Sequence, residues 1–127
     1  MDAKSYTLKP GRIVELVKLE NAIIRYIRCP KIDPDEDDRS HYSAEGHLTN
    51  QSGKEIDDLA IDVSDYDATE RFLGLDKAGG IFGIDAPSPH QTVPFEISLD
   101  IPEGTVQCVL NVSARVRGRL SRFLGLL

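Results

Sequence analysis

Three groups of residues in this chain have the types and spacing to do chemistry. His41, Glu45 and His47 share parity, so on a strand they would project from one face, opposite Tyr42 and Leu48. Imidazole and carboxylate together bind zinc, yet successive same-face residues on a strand stand roughly 7 Å apart. His41 and His47 are then too distant to ligate one ion without a bulge. The run Asp33-Pro34-Asp35-Glu36-Asp37-Asp38 offers carboxylates for a hard cation such as calcium, with Asp62, Asp65 or Asp67 as helpers. It lacks the sixth-position Gly and twelfth-position Glu of an EF-hand loop, so residues 31–40 read as a solvated acidic loop. For nucleophilic catalysis the chain has no G-x-S-x-G elbow and no His near Cys29 or Cys108 in sequence. His90 sits between Pro89 and Gln91, where an exposed loop histidine is the ordinary expectation. The two cysteines have no CxxC spacing and read as reduced, partly buried thiols. No catalytic residue, metal ligand or cofactor is assigned.

The remaining candidate is a basic and apolar C-terminal tail, residues 118–127, continuing an arginine series. Arg115, Arg117 and Arg119 have one parity and Arg122 the other, followed by Phe123 and Leu124. These six residues are the candidates for binding a protein partner or for self-association. An edge strand of this kind could pair with a partner or touch an anionic surface. The same charges also guard a sheet edge against aggregation. Arg71-Phe72-Leu73-Gly74-Leu75 recurs as Arg122-Phe123-Leu124-Gly125-Leu126, but the flanks differ, so no domain repeat is read.

The elements that must position these residues are strands. Leu59, Ile61 and Val63 alternate with polar or small residues, as do Phe95, Ile97 and Leu99, which is the period of half-buried strands. Tyr42, Ala44, Gly46 and Leu48 share a face, and Asn50-Gln51-Ser52-Gly53 supplies turn residues. Strands are expected over Ile56 to Tyr66, over Phe95 to Ile101 after Pro94, and from Val106 to Val116. Asp67 to Glu70 turns the chain toward Phe72, Leu73 and Leu75. Gly79-Gly80 and Pro87-Ser88-Pro89 bracket a short Ile81–Ile84 run. Arg12 to Cys29 carries two patterns. Its helical stripe is interrupted by Glu20, whereas strands over Ile13–Leu19 and Ile23–Cys29, with Glu20-Asn21-Ala22 as turn or bulge, suit its β-branched content better.

Composition bounds the function. The 127 residues suit one domain, 1–127, with one core. A net charge of -6 argues against a nucleic-acid binder, because phosphate affinity comes from clustered bases. Residues 31 to 70 carry 13 acids and 3 bases, a balance of -10, while both ends are basic. The expectation is a solvated surface, with steering of a partner or docking of the termini against the acidic middle as the alternatives. No secretory leader or apolar run of about 20 residues is seen, so a cytoplasmic location without membrane contact is expected.

Gly46-His47-Leu48-Thr49-Asn50-Gln51-Ser52, then Leu59 to Asp67 ending in Tyr66-Asp67-Ala68, then Pro94-Phe95-Glu96-Ile97, resembles the FxLYD-type family of immunoglobulin-like bacterial domains. The similarity covers the middle and C-terminal two-thirds of the chain. Val63 and Asp65 stand where the name-giving motif has Phe and Leu. The resemblance implies a binding or structural module without a cofactor and transfers no catalytic residue. The expectation is therefore an all-β, immunoglobulin-like antiparallel β-sandwich, with room for one short helix near the N-terminus. Its expected role is a non-catalytic protein-interaction or structural module. A divalent-metal or small-ligand binding domain using the acidic loop is the alternative, and a small hydrolase the third.

Overall fold

The computed structural model describes residues 4–79 and 86–117. Seven strands run in chain order: β1 (Leu8–Pro10), β2 (Val17–Ile27), β3 (His41–Asn50), β4 (Ile56–Tyr66), β5 (Phe72–Gly79), β6 (Thr92–Leu99) and β7 (Gln107–Val116). They form a four-stranded sheet in the order β1-β7-β4-β5 and a three-stranded sheet in the order β2-β3-β6. The two sheets pack as a β-sandwich on one core. Leu59, Ile61 and Val63 of β4 and Cys108, Leu110 and Val112 of β7 meet Ala44 and Leu48 of β3 and Phe95, Ile97 and Leu99 of β6. These are the alternating positions of each strand, so pattern becomes packing directly.

No helix occurs among the described residues, and the ambiguous N-terminal segment is extended. β2 begins at Val17 rather than Ile13, after a turn at Glu15 and Leu16, and it is one strand across Asn21 rather than two. Its pairing with β3 shifts between Glu20 and Ile23, where Asn21 takes φ 58°. The extra residue is a bulge, and Asn tolerates the left-handed conformation that it needs. A second bulge, between Asp57 and Ala60, is served in the same way by Asp58 at φ 51°.

β4 occupies the expected Ile56–Tyr66, whereas β6 is displaced toward the N-terminus. Pro94 lies inside β6 instead of preceding it. This is permitted because, among the described residues, β6 pairs with β3 alone, so the missing N–H breaks no ladder on its other edge. The sheet is also not wholly antiparallel. β1 adds to β7 in parallel, with Leu8 opposite Cys108 and Pro10 opposite Leu110. Gly11 N–H donates to Leu110 O at 2.7 Å and Val112 N–H to Arg12 O at 2.7 Å, extending the pairing past the strand. Gly11 is required there, since a Cβ would lie 2.5 Å from both Val109 Cγ1 and Asn111 Oδ1.

Candidate functional site

The residues singled out in the sequence fall in three separate places. His41 and Glu45 are half-buried and His47 is exposed on β3, on the face turned away from the core. Glu45 pairs across the sheet with Glu96 of β6; Arg25 of β2 donates through Nη1 to its Oε1 at 3.5 Å and places Nε 3.5 Å from its Oε2, which is buried and has no hydrogen-bond partner among the described residues. Asn21, Ile23, His47 and Pro94 line, with these acids, a shallow hollow of about 490 Å³. His41 Nδ1 lies 2.9 Å from Arg39 O. Among the described residues no group of three or more His, Cys, Asp or Glu side chains is placed to hold a metal ion.

The acidic loop uses its carboxylates on its own backbone. Asp33 Oδ1 accepts from Asp35 N–H at 3.1 Å, Glu36 Oε2 from Ile32 N–H at 3.3 Å, and Asp38 Oδ1 from Ser40 N–H at 2.9 Å. That last bond, with the neighbouring charges of Lys31 and Arg28, holds Asp38 below the ordinary carboxylate range.

Arg115 and Arg117 do not form a free basic stripe. Arg115 Nε sits 3.1 Å from Asp57 Oδ1 and 2.6 Å from Asp58 Oδ2, and Arg117 Nη1 sits 3.5 Å from Glu55 Oε2. The end of β7 is thus laid against acids at the start of β4. Arg119, Arg122, Phe123 and Leu124 lie outside the described residues, as do the rest of the 118–127 tail and the Ile81–Ile84 run.

The cysteines differ from each other. Cys29 is exposed, contrary to its expected partial burial, and Cys108 is buried. The Cys108 thiol donates to Asp65 Oδ1 at 3.1 Å. Burial and the adjacent Asp65 carboxylate push its pKa far up, the opposite of what an activated nucleophile needs.

Sequence reasoning missed an apolar surface. The outer face of the four-stranded sheet is read off the register: with Val63 and Asp65 turned inward, Ser64 faces out, flanked by Leu75 on β5 and Val109 on β7. Tyr66 and Phe72 pair at the end of the same strands, their rings 5.9 Å apart in an edge arrangement. Phe72 is 53% exposed and Leu75 42%. The neighbouring row is polar: Lys77 and Asp62 pair across β5 and β4, and Asn111 donates to Asp62 at 3.0 Å. An apolar centre with a polar margin is the usual composition of a recognition surface. Apolar type by itself favours burial, and the sequence pattern assigns these two residues no face. The β5 edge position and the bulge between Asp65 and Tyr66 turn them outward instead.

Most residues that carry the family resemblance do architectural work. Gly46 admits the Phe95 ring, since a Cβ there would lie 2.7 Å from Phe95 Cε1. Asn50 is fully buried and uses its whole amide: Nδ2 donates to Lys54 O at 2.7 Å and Pro87 O at 3.1 Å, and Oδ1 accepts from Ser52 N–H and Oγ at 3.0 and 2.7 Å. Asp67 Oδ1 accepts from Thr69 N–H, Thr69 Oγ1 and Arg71 N–H within 2.9 Å, which organises the β4–β5 hairpin and holds its pKa down. No protein-family model, curated protein or solved structure matches the chain.

Proposed function

We propose that the chain is a non-catalytic protein-interaction module of immunoglobulin-like type, binding through the outer face of its four-stranded sheet. The observation that carries this reading is the exposure of Phe72 and Leu75 beside Tyr66 on that face. A monomeric domain gains nothing in stability from large apolar side chains held in water, whereas covering them yields about 1.5–3 kcal/mol each on full burial. The connectivity supports the immunoglobulin-like assignment. The β2-β3 and β4-β5 hairpins lie in opposite sheets, and β6 and β7 return to pair with β3 and β4 respectively. Arg119, Arg122, Phe123 and Leu124, outside the described residues, remain further candidates for partner binding in the same proposal, while the ion pairs of Arg115 and Arg117 leave those two less available.

The test compares the wild-type domain with a Phe72→Ser plus Leu75→Ser variant and with a chain ending at Arg117. Mass in solution and proteins recovered from the native cell are the readouts. Loss of self-association or of a recovered protein in the double variant, at an unchanged denaturation midpoint, is expected. The same mass and the same recovered proteins in all three chains would remove the proposal.

A further inference from the structure

Along β4 the core-facing positions run Leu59, Ile61, Val63 and then Asp65, a carboxylate with 0% exposure. One of its oxygens, Oδ1, accepts from the Cys108 thiol of β7. The other, Oδ2, is buried and without a hydrogen-bond partner among the described residues. Space beside Oδ2 is kept by its cross-strand neighbour Gly74, whose Cβ would stand 3.8 Å from it and 3.2 Å from Pro102 Cγ.

Among the described residues, every titratable group that faces this carboxyl is acidic or neutral. β5 contributes Asp76, the segment following β6 contributes Asp100, β7 contributes Cys108, and the N-terminal segment contributes Tyr6, itself packed on Tyr42 of β3. Asp76 is tied to Asp100, whose N–H lies 3.5 Å from Asp76 Oδ1. No ion pair among the described residues involves Asp65, Asp76 or Asp100. A buried carboxylate with one oxygen unpaired and two further carboxylates nearby is costly to ionise, and a proton on Oδ2 removes the charge outright.

We infer that Asp65 is a proton-binding site, and that its occupancy sets how firmly the β4–β5 hairpin and the Asp100–Val106 segment close the end of the sandwich. The coupling is direct, because the next residue, Tyr66, accepts from Val106 N–H at 2.9 Å through its carbonyl and packs edge-on against Phe72. Burial, followed by the charges of Asp76 and Asp100, raises the Asp65 pKa, and the thiol hydrogen bond offsets part of this. The folded protein then holds a proton at Asp65 that the unfolded chain releases. Stability falls as pH rises from the ordinary carboxylate value through the folded one, and acidification over that window restores it.

The experiment follows carboxyl carbon-13 shifts of the whole chain by NMR from about pH 2 to about pH 8, a range that spans the ordinary carboxylate value, together with urea midpoints over the part of it above that value. Asp65 should titrate above the ordinary carboxylate value, and Asp76→Asn should move that titration down. The wild-type midpoint should fall as pH rises, and Asp65→Asn should be more stable at the upper end and lose most of the slope. If Asp65→Asn fails to fold, the wild-type and Asp76→Asn titrations still decide. Asp65 titrating at or below the ordinary carboxylate value, or an Asp65→Asn slope equal to the wild-type slope, would overturn the inference.

Discussion

The most exacting test of how this fold is held is the removal of one buried amide. Asn50 closes β3, and its side chain bonds the turn that enters β4 on one side and the Pro87 segment that leads to β6 on the other. In Asn50→Ala, Pro87 O loses its buried donor, which costs about 1–3 kcal/mol. Lys54 O keeps the Ser52 hydroxyl at 3.1 Å, and Ser52 itself reaches solvent, so those losses are smaller. A cavity the size of the lost carboxamide adds about 1 kcal/mol. The sum is about 2–4 kcal/mol, which for a chain of this length lowers Tm by about 8–16 °C.

Urea denaturation followed by far-ultraviolet circular dichroism reads the loss, with tyrosine fluorescence as the second probe because the chain has four Tyr and no Trp. Two further variants separate hydrogen bonding from packing. Asn50→Asp keeps the acceptor for Ser52 but turns a carboxylate oxygen toward the two carbonyls, so it should lose more than Asn50→Ala at neutral pH. Ser52→Ala should lose less, about 0.5–1.5 kcal/mol. An Asn50→Ala midpoint within about 0.5 kcal/mol of wild type, or an Asn50→Asp variant as stable as wild type, would refute the staple argument.

Two other outcomes are expected. Gly46→Ala drives a methyl group into the Phe95 ring and toward Glu20 O at 3.1 Å, so it should cost about 1–3 kcal/mol in urea melts, and Phe95→Leu in the same chain should recover part of it. Millimolar calcium should leave the melting temperature where chelator leaves it, because Asp33, Glu36 and Asp38 are engaged with local N–H groups and no three carboxylates among the described residues are placed around one ion; a saturable rise abolished by Asp35→Asn plus Asp37→Asn would restore the metal-binding alternative.

How far the sequence could be read depended on whether a residue's partner was local. β4 and most of β7 were legible because alternation states which face is buried regardless of what covers it. β1 was not legible: three residues including Pro10 have no period, and their place beside β7 follows from a parallel pairing about a hundred positions away. Arg115 and Arg117 were visible as a basic series, but their acidic partners depend on the β7–β4 register and on the bulge at Asp58. Asn50 offered a turn signal and no hint of burial, since its staple spans 37 positions to Pro87. Phe72 and Leu75 had no legible face, because an edge strand and a bulge that the local pattern does not show decide which way they point.

That division bears on where function sits in this chain. Gly46, Asn50, Ser52, Asp67 and Phe95, which carry much of the recognisable pattern, have their atoms committed to a close approach, a staple, a turn and the core. A residue so committed cannot also meet a partner without loosening the fold that presents it. Asp65 is the exception among the pattern's inward positions. It stands where the resemblance would place an apolar residue, it brings a carboxyl into the core, and one of its oxygens is left unpaired. A buried group that weakens the fold at neutral pH has to be weighed against what it allows. Here it lies one residue from Tyr66, at the end of the sandwich that carries Phe72, so the chemistry specific to this chain and its exposed apolar face share one hairpin.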